Sequence, residues 1–202
     1  MREAAKAHLL AAYPFHLTPE AHRSRHLYLE ELFGSGRDLQ LGHIKVVNLI
    51  RQDDSDRPDL FRSLPVALYE CSRLPVELLL EGLENKEVPS LSPADLTRLF
   101  RGKQILLDYD LEFLKKLVMH TCPPTCSNSK HCPTYAHTLY NRHWDGIVRE
   151  AGDLAASQAS INEWVEKSAL CKACKKSIKG ALAEYCETTW DDLKQIFDIS
   201  PY

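Results

Sequence analysis

The sequence predicts an all-α protein, an irregular multi-helix bundle with a small cysteine-rich, zinc-pinned C-terminal subregion. Three observations carry that prediction. Glycine is scarce, 8 in 202 residues, and the Val/Ile/Thr alternation of strands is nearly missing. Apolar residues instead recur at helical spacing behind Ser, Thr and Pro start signals. The exception is "TCPPTCSNSKHCPTY", residues 121–135, where three cysteines, a histidine and three prolines leave too few apolar side chains for a core element.

The elements follow in order. "REAAKAHLLAAY" opens inside a helical pattern with no capping residue and ends at Pro14. Thr18, Pro19 and Gly34 supply the cap, first-turn and stop signals of a second helix. "LGHIKVVNLIRQ" places Ile44, Val47 and Ile50 on one face. "DRPDLFRSLPVALYECSRL" reads as a short helix, a break before Pro65 and a buried helix carrying Leu68, Tyr69 and Cys71. "PVELLLEGL" is a further short helix and "ENKEVPSL" a loop.

Ser92-Pro93-Ala94-Asp95 then starts the longest helix, with a serine cap, a first-turn proline and a carboxylate at the positive end. Leu96, Leu99, Phe100, Lys103, Leu106, Asp110, Phe113, Leu114 and Leu117 keep its spacing out to His120. After the cysteine loop, Pro133 opens a helix with Tyr135, Leu139, Trp144, Ile147 and Val148 inward. "SINEWVEKSAL" leads into "CKACKKSIKGALAEYCETTW". The chain closes on a short amphipathic helix of Trp190, Leu193, Ile196 and Phe197. The expected domains are 1–120, helical, and 121–202, a cysteine-rich helical subdomain.

Composition excludes several classes. A net charge of -3 with 26% charged residues is not that of a polyanion-binding protein. No apolar run approaches the roughly 20 residues that cross a bilayer, and the N-terminus lacks a signal peptide's apolar segment. The expected setting is therefore intracellular, nuclear or cytoplasmic, without membrane attachment. There thiols stay reduced, so seven cysteines point to metal ligation rather than to disulfides.

Zinc takes four thiolate or imidazole ligands on a tetrahedron, commonly as close-spaced pairs from two segments. Cys171 and Cys174 form a C-x2-C arm, and the loop offers Cys122, Cys126, His131 and Cys132. Cys186 lies twelve residues past Cys174 on the same helical pattern, about 18 Å away at 1.5 Å per residue, too far to share an ion. Cys71 sits among apolar residues and reads as core. The favoured set is Cys126, Cys132, Cys171 and Cys174, with Cys122 and His131 as substitute ligands.

The competing readings are a redox pair at Cys171 and Cys174, or unligated thiols. A redox motif belongs beside a βαβ pattern, which is missing here. The deaminase and H-E-x-x-H zinc signatures are also missing, so the site reads as closed and structural rather than catalytic. His22 and His26 share a helical face without the glutamate of a zinc protease. Lys172, Lys175, Lys176 and Lys179 are flanked by Glu163, Glu166, Glu184, Glu187, Asp191 and Asp192, as expected of a solvated face. Trp144, Trp164 and Trp190 fall at core spacing.

"VVNL", "LPVALYECSRLP", "LSPADLTRLFRGKQIL", the C-x5-C loop, "LCKAC" and the closing "W-x2-L-x2-IF" together resemble the region that follows the BTB/POZ domain in a large group of basidiomycete fungal proteins. The resemblance runs from about residue 1 to 198 and lies in the order and spacing of the motifs. It implies Cys126, Cys132, Cys171 and Cys174 as the family's cysteine positions. It also implies a preceding BTB core; because "REAAKAHLL" follows directly on Met1, this chain is expected to lack that core, and dimerisation through it is not expected here. The overall expectation is a non-enzymatic scaffold or adaptor region with a structural zinc site, binding a protein partner of unknown identity and not nucleic acid. The alternatives are a zinc-knuckle nucleic-acid-binding module and a thiol-dependent enzyme.

Overall fold

The computed structural model describes residues 7, 11–13, 29–30, 33–52, 61–85, 88–119, 121–138, 141 and 154–199. Among them every regular element is a helix: α1 (Arg37–Gln52), α2 (Leu64–Ser72), α3 (Val76–Glu84), α4 (Pro93–Val118), α5 (Leu154–Lys167), α6 (Lys172–Asp191) and α7 (Leu193–Ile196). A further helical segment runs over 132–138. The all-α class is as expected. The expected helix over 18–34, the His22/His26 pair, and Trp144 with its helix beyond 141 lie outside the described residues, as does most of the opening helix.

The chain divides into two compact units, Met1–Gln104 with Trp190–Tyr202, and Ile105–Thr189. The units are interleaved in sequence, whereas the sequence reading divides the chain at residue 120.

In the first unit α2 is the central element, and every residue from Leu64 to Ser72 is buried. A helix apolar on all sides is stable only when surrounded; α1 and α7 both pack on it. Its one ionised group, Glu70, meets Arg73 at 2.8 Å. Cys71 is fully buried, and its thiol is pushed well above the usual range, by burial first and then by the charges of Glu70 and Asp95.

The start of α4 matches its sequence signal. Ser92 Oγ accepts the Asp95 N–H at 3.1 Å and donates to the Asp95 carboxylate at 2.8 Å. Arg51 of α1 donates to the same carboxylate at 2.7 Å, so Ser92 caps α4 and Asp95, bonded to that cap, ties the helix to α1. Gly102 lets the α4 backbone approach Phe197, since a Cβ there would lie 2.3 Å from the ring.

Phe100 keeps the helical spacing as expected but is exposed, about 40° round the helix from Leu96, at the edge of the face that buries Leu99 and Leu106. Two expectations are corrected. Tyr135, expected inward, is also exposed; the 132–138 segment buries Cys132 and Ala136 instead. Trp190 is buried but belongs to α6, which runs to Asp191, so the closing helix is reduced to Leu193–Ile196.

Candidate metal centre

The second unit has its own core. Phe113, Leu114 and Leu117 of α4 pack with Ile161 and Val165 of α5 and with Ile178 and Leu182 of α6. Cys132 and Cys174 belong to the same core, and Cys122, Cys126 and Cys171 pack against it from its edge. Trp164, expected as core, is half-buried at that edge.

Local chemistry brings the two cysteine segments to one point. Pro123 and Pro124 have no N–H to give a helix, so α4 does not continue into the loop. The chain turns instead, the Cys126 N–H donating to the Pro123 carbonyl at 2.9 Å. A second turn closes when the Cys132 N–H donates to the Asn128 carbonyl at 3.0 Å, and Cys132 opens the 132–138 segment. On the other arm, Ser168 Oγ donates to the Val165 carbonyl at 2.6 Å, bending the chain after α5. Cys171 then stands just before α6, its carbonyl taking the Lys175 N–H at 2.9 Å.

The outcome is a cluster of four sulfurs, those of Cys126, Cys132, Cys171 and Cys174, all within 4.8 Å of one another. Cys126 Sγ lies 3.7 Å from Cys171 Sγ and 3.5 Å from Cys174 Sγ. A disulfide needs about 2.05 Å, and all seven cysteines are free. A tetrahedron of four thiolates with Zn–S bonds of about 2.3 Å has edges of about 3.8 Å, so the two separations from Cys126 have the dimension of a tetrathiolate shell. Among the described residues no other group of three or more His, Cys, Asp and Glu side chains converges in this way.

Backbone amides are aimed at the sulfurs. The Asn128 N–H donates to Cys126 Sγ at 3.4 Å. Cys171 accepts the N–H groups of Cys174 and Ser127, and Cys132 accepts that of Cys171. Such donors stabilise thiolate over thiol. The Cys174 amide is the largest influence on Cys171, whose pKa is lowered to about 6. Cys174 moves the other way, pushed up by burial and then by the crowding sulfurs of Cys126, Cys171, Cys122 and Cys132. On Cys132 the Cys171 amide pulls down, but burial and the neighbouring sulfurs outweigh it and the net shift is upward. Four thiols with one lowered and two raised are mutually competing groups that a dication can satisfy together.

The substitute ligands stand outside the set of four. Cys122 is half-buried and packs against the core that holds Cys132 and Cys174. His131 is exposed, its ring tilted toward Tyr135 at 6.4 Å. Cys186 lies well along α6 from Cys174; burial, then the Asp110 charge, raises it to about 12.

Two lysines of the basic cluster of α6 meet Glu166. Lys179 pairs with the Glu166 carboxylate, and Lys175 donates to the Glu166 carbonyl at 2.5 Å. One link has no counterpart among the sequence expectations: Tyr185 Oη donates to the buried Asp110 carboxylate, and Tyr185 stacks on Phe113 at 4.7 Å. Its signal was present: Asp110 is a carboxylate on the apolar stripe of α4, which burial obliges to find a partner.

No helix among the described residues is long and apolar enough to cross a membrane. Compared with known proteins, the chain matches no protein-family model, no curated protein and no solved structure.

Proposed function

We propose that this chain is a non-catalytic helical scaffold whose 105–189 unit is held folded by one structural zinc ion, bound by Cys126, Cys132, Cys171 and Cys174. The observation that carries the reading is the convergence of four sulfurs, from two segments, at the spacing of a tetrathiolate shell. Four thiolates fill a tetrahedral zinc and leave no position for water or substrate, the arrangement of a structural rather than a catalytic site. The soft donor set favours zinc over the oxygen-seeking cations. N–H donors to Cys126, Cys132 and Cys171 supply the outer shell that holds thiolate ligands in orientation.

In the same proposal the scaffold is the post-BTB part of a fungal BTB-type protein and presents its helices to a protein partner. The ordered motifs quoted above support that part. Elemental analysis of the chain, purified under reducing conditions without added metal, tests the zinc assignment. The expected result is one zinc per chain, with loss of helicity in 105–189 on chelation. A metal-free chain, as folded and as protease-resistant before chelation as after it, refutes it.

A further inference from the structure

We propose that Cys126 and Cys171 form an oxidation site: a hydroperoxide joins their sulfurs in a disulfide, which expels the zinc and takes over its cross-link. The inference rests on the zinc reading above and adds a regulation to the same site.

The four sulfurs divide into two pairs by their setting. Cys132 and Cys174 are fully buried, and each stands within a helical segment. Cys126 and Cys171 are both partly exposed, and both stand outside the helices, Cys126 in the loop and Cys171 just ahead of α6. An oxidant arriving from solvent meets this outer pair first. Their sulfurs are 3.7 Å apart, so a bond of about 2.05 Å needs them to close by about 1.7 Å. Neither residue lies inside a helix, so that closure leaves the turns of α6 and of 132–138 in place. Cys126 is nearer still to Cys174, at 3.5 Å, but bonding that sulfur draws on a side chain sealed in the core and carried by the first turn of α6. The outer pair also spans the two arms. Cys126 and Cys171 are 45 residues apart, so their bond staples the same segments as the ion.

In the reaction one thiolate of the pair attacks an oxygen of hydrogen peroxide. The O–O bond breaks, the sulfur becomes a sulfenic acid and hydroxide leaves. The second thiolate attacks that sulfur, the S–S bond forms and a second hydroxide leaves. The two sulfurs give up two electrons, the peroxide takes them, and two protons from solvent turn the hydroxides into water. Only Cys132 and Cys174 remain as thiolate donors, half of the shell that a structural zinc needs, and the ion departs. A dithiol reductant with added zinc reverses the exchange.

The test treats the full-length, zinc-loaded chain with a small excess of hydrogen peroxide. Released zinc is read with a chromogenic chelator, and disulfides are mapped by peptide mass spectrometry. One zinc should leave for each Cys126–Cys171 disulfide formed. Far-UV circular dichroism should then show the oxidised, zinc-free chain keeping the helicity that chelation of the reduced chain removes. The Cys122→Ser chain, with all four ligands intact, should release zinc at the wild-type rate. Retained zinc, zinc lost with only sulfinic acid or with a disulfide through Cys174, loss of helicity on oxidation, or a Cys122→Ser chain that holds its zinc overturns the inference. Zinc content before oxidation separates the two claims. A wild type that binds no zinc sinks the zinc reading, and this inference with it; a zinc-loaded chain without the Cys126–Cys171 disulfide after peroxide sinks the inference alone.

Discussion

Replacing Cys171 by alanine removes one corner of the sulfur cluster, and the structure sets the size of the effect. With zinc bound, the link from Cys132 to Cys171 closes a loop of about 40 residues, worth about 4 kcal/mol of chain entropy by analogy with a disulfide. The zinc itself contributes more in isolated finger peptides, about 10–16 kcal/mol, so the loop value is the lower bound. The Ile105–Thr189 unit has about 85 residues, for which a net stability of about 4–13 kcal/mol is usual. Losing about 4 kcal/mol from such a unit lowers its melting temperature by on the order of 20 °C. Hydrogen exchange read by mass spectrometry is the assay, since it resolves segments. Amides of Phe113–Leu117, Ile161–Val165 and Ile178–Leu182 should lose protection in Cys171→Ala, whereas those of α2 keep it. Equal protection in 105–189 for variant and wild type, with zinc present in the wild type, would refute the reasoning.

Further outcomes follow from individual contacts. Gly102→Ala drives a Cβ to 2.3 Å from the ring of the fully buried Phe197, and should cost about 1–3 kcal/mol in urea unfolding. Gly180→Ala, on the exposed side of α6 with nothing within 4 Å of its new Cβ, should instead stabilise by about 0.5–1 kcal/mol. Ser92→Ala removes the α4 cap and should cost about 1 kcal/mol in the same measurement. Cys186, raised from 9.0 to about 12 by burial and then by Asp110, contributes stability that is complete below the unfolded thiol value and lost as pH rises through the folded one. Melting temperature should therefore fall between about pH 9 and 12, with a shallower fall in Cys186→Ala.

Much of this was legible before any coordinates, and the reasons are local. Ser92-Pro93-Ala94-Asp95 marks a helix start through hydrogen bonds among four consecutive residues, and those bonds form. The two cysteine arms were identifiable because zinc chemistry demands pairs of ligands at short spacing; the four favoured sulfurs converge, and Cys186 does not join them. What escaped depends on non-local packing. The outward turn of Phe100 and Tyr135 follows from which face of each helix finds a neighbour, which spacing alone leaves open. The interleaved units follow from α4 and α6 each running through a unit boundary, and a continuous helical pattern carries no mark where its surroundings change.

The most direct test is X-ray absorption at the zinc edge on the purified, reduced chain. The account predicts a shell of four sulfurs at about 2.3 Å and no first-shell oxygen. A shell dominated by nitrogen or oxygen, or fewer than three sulfurs per zinc, would contradict it.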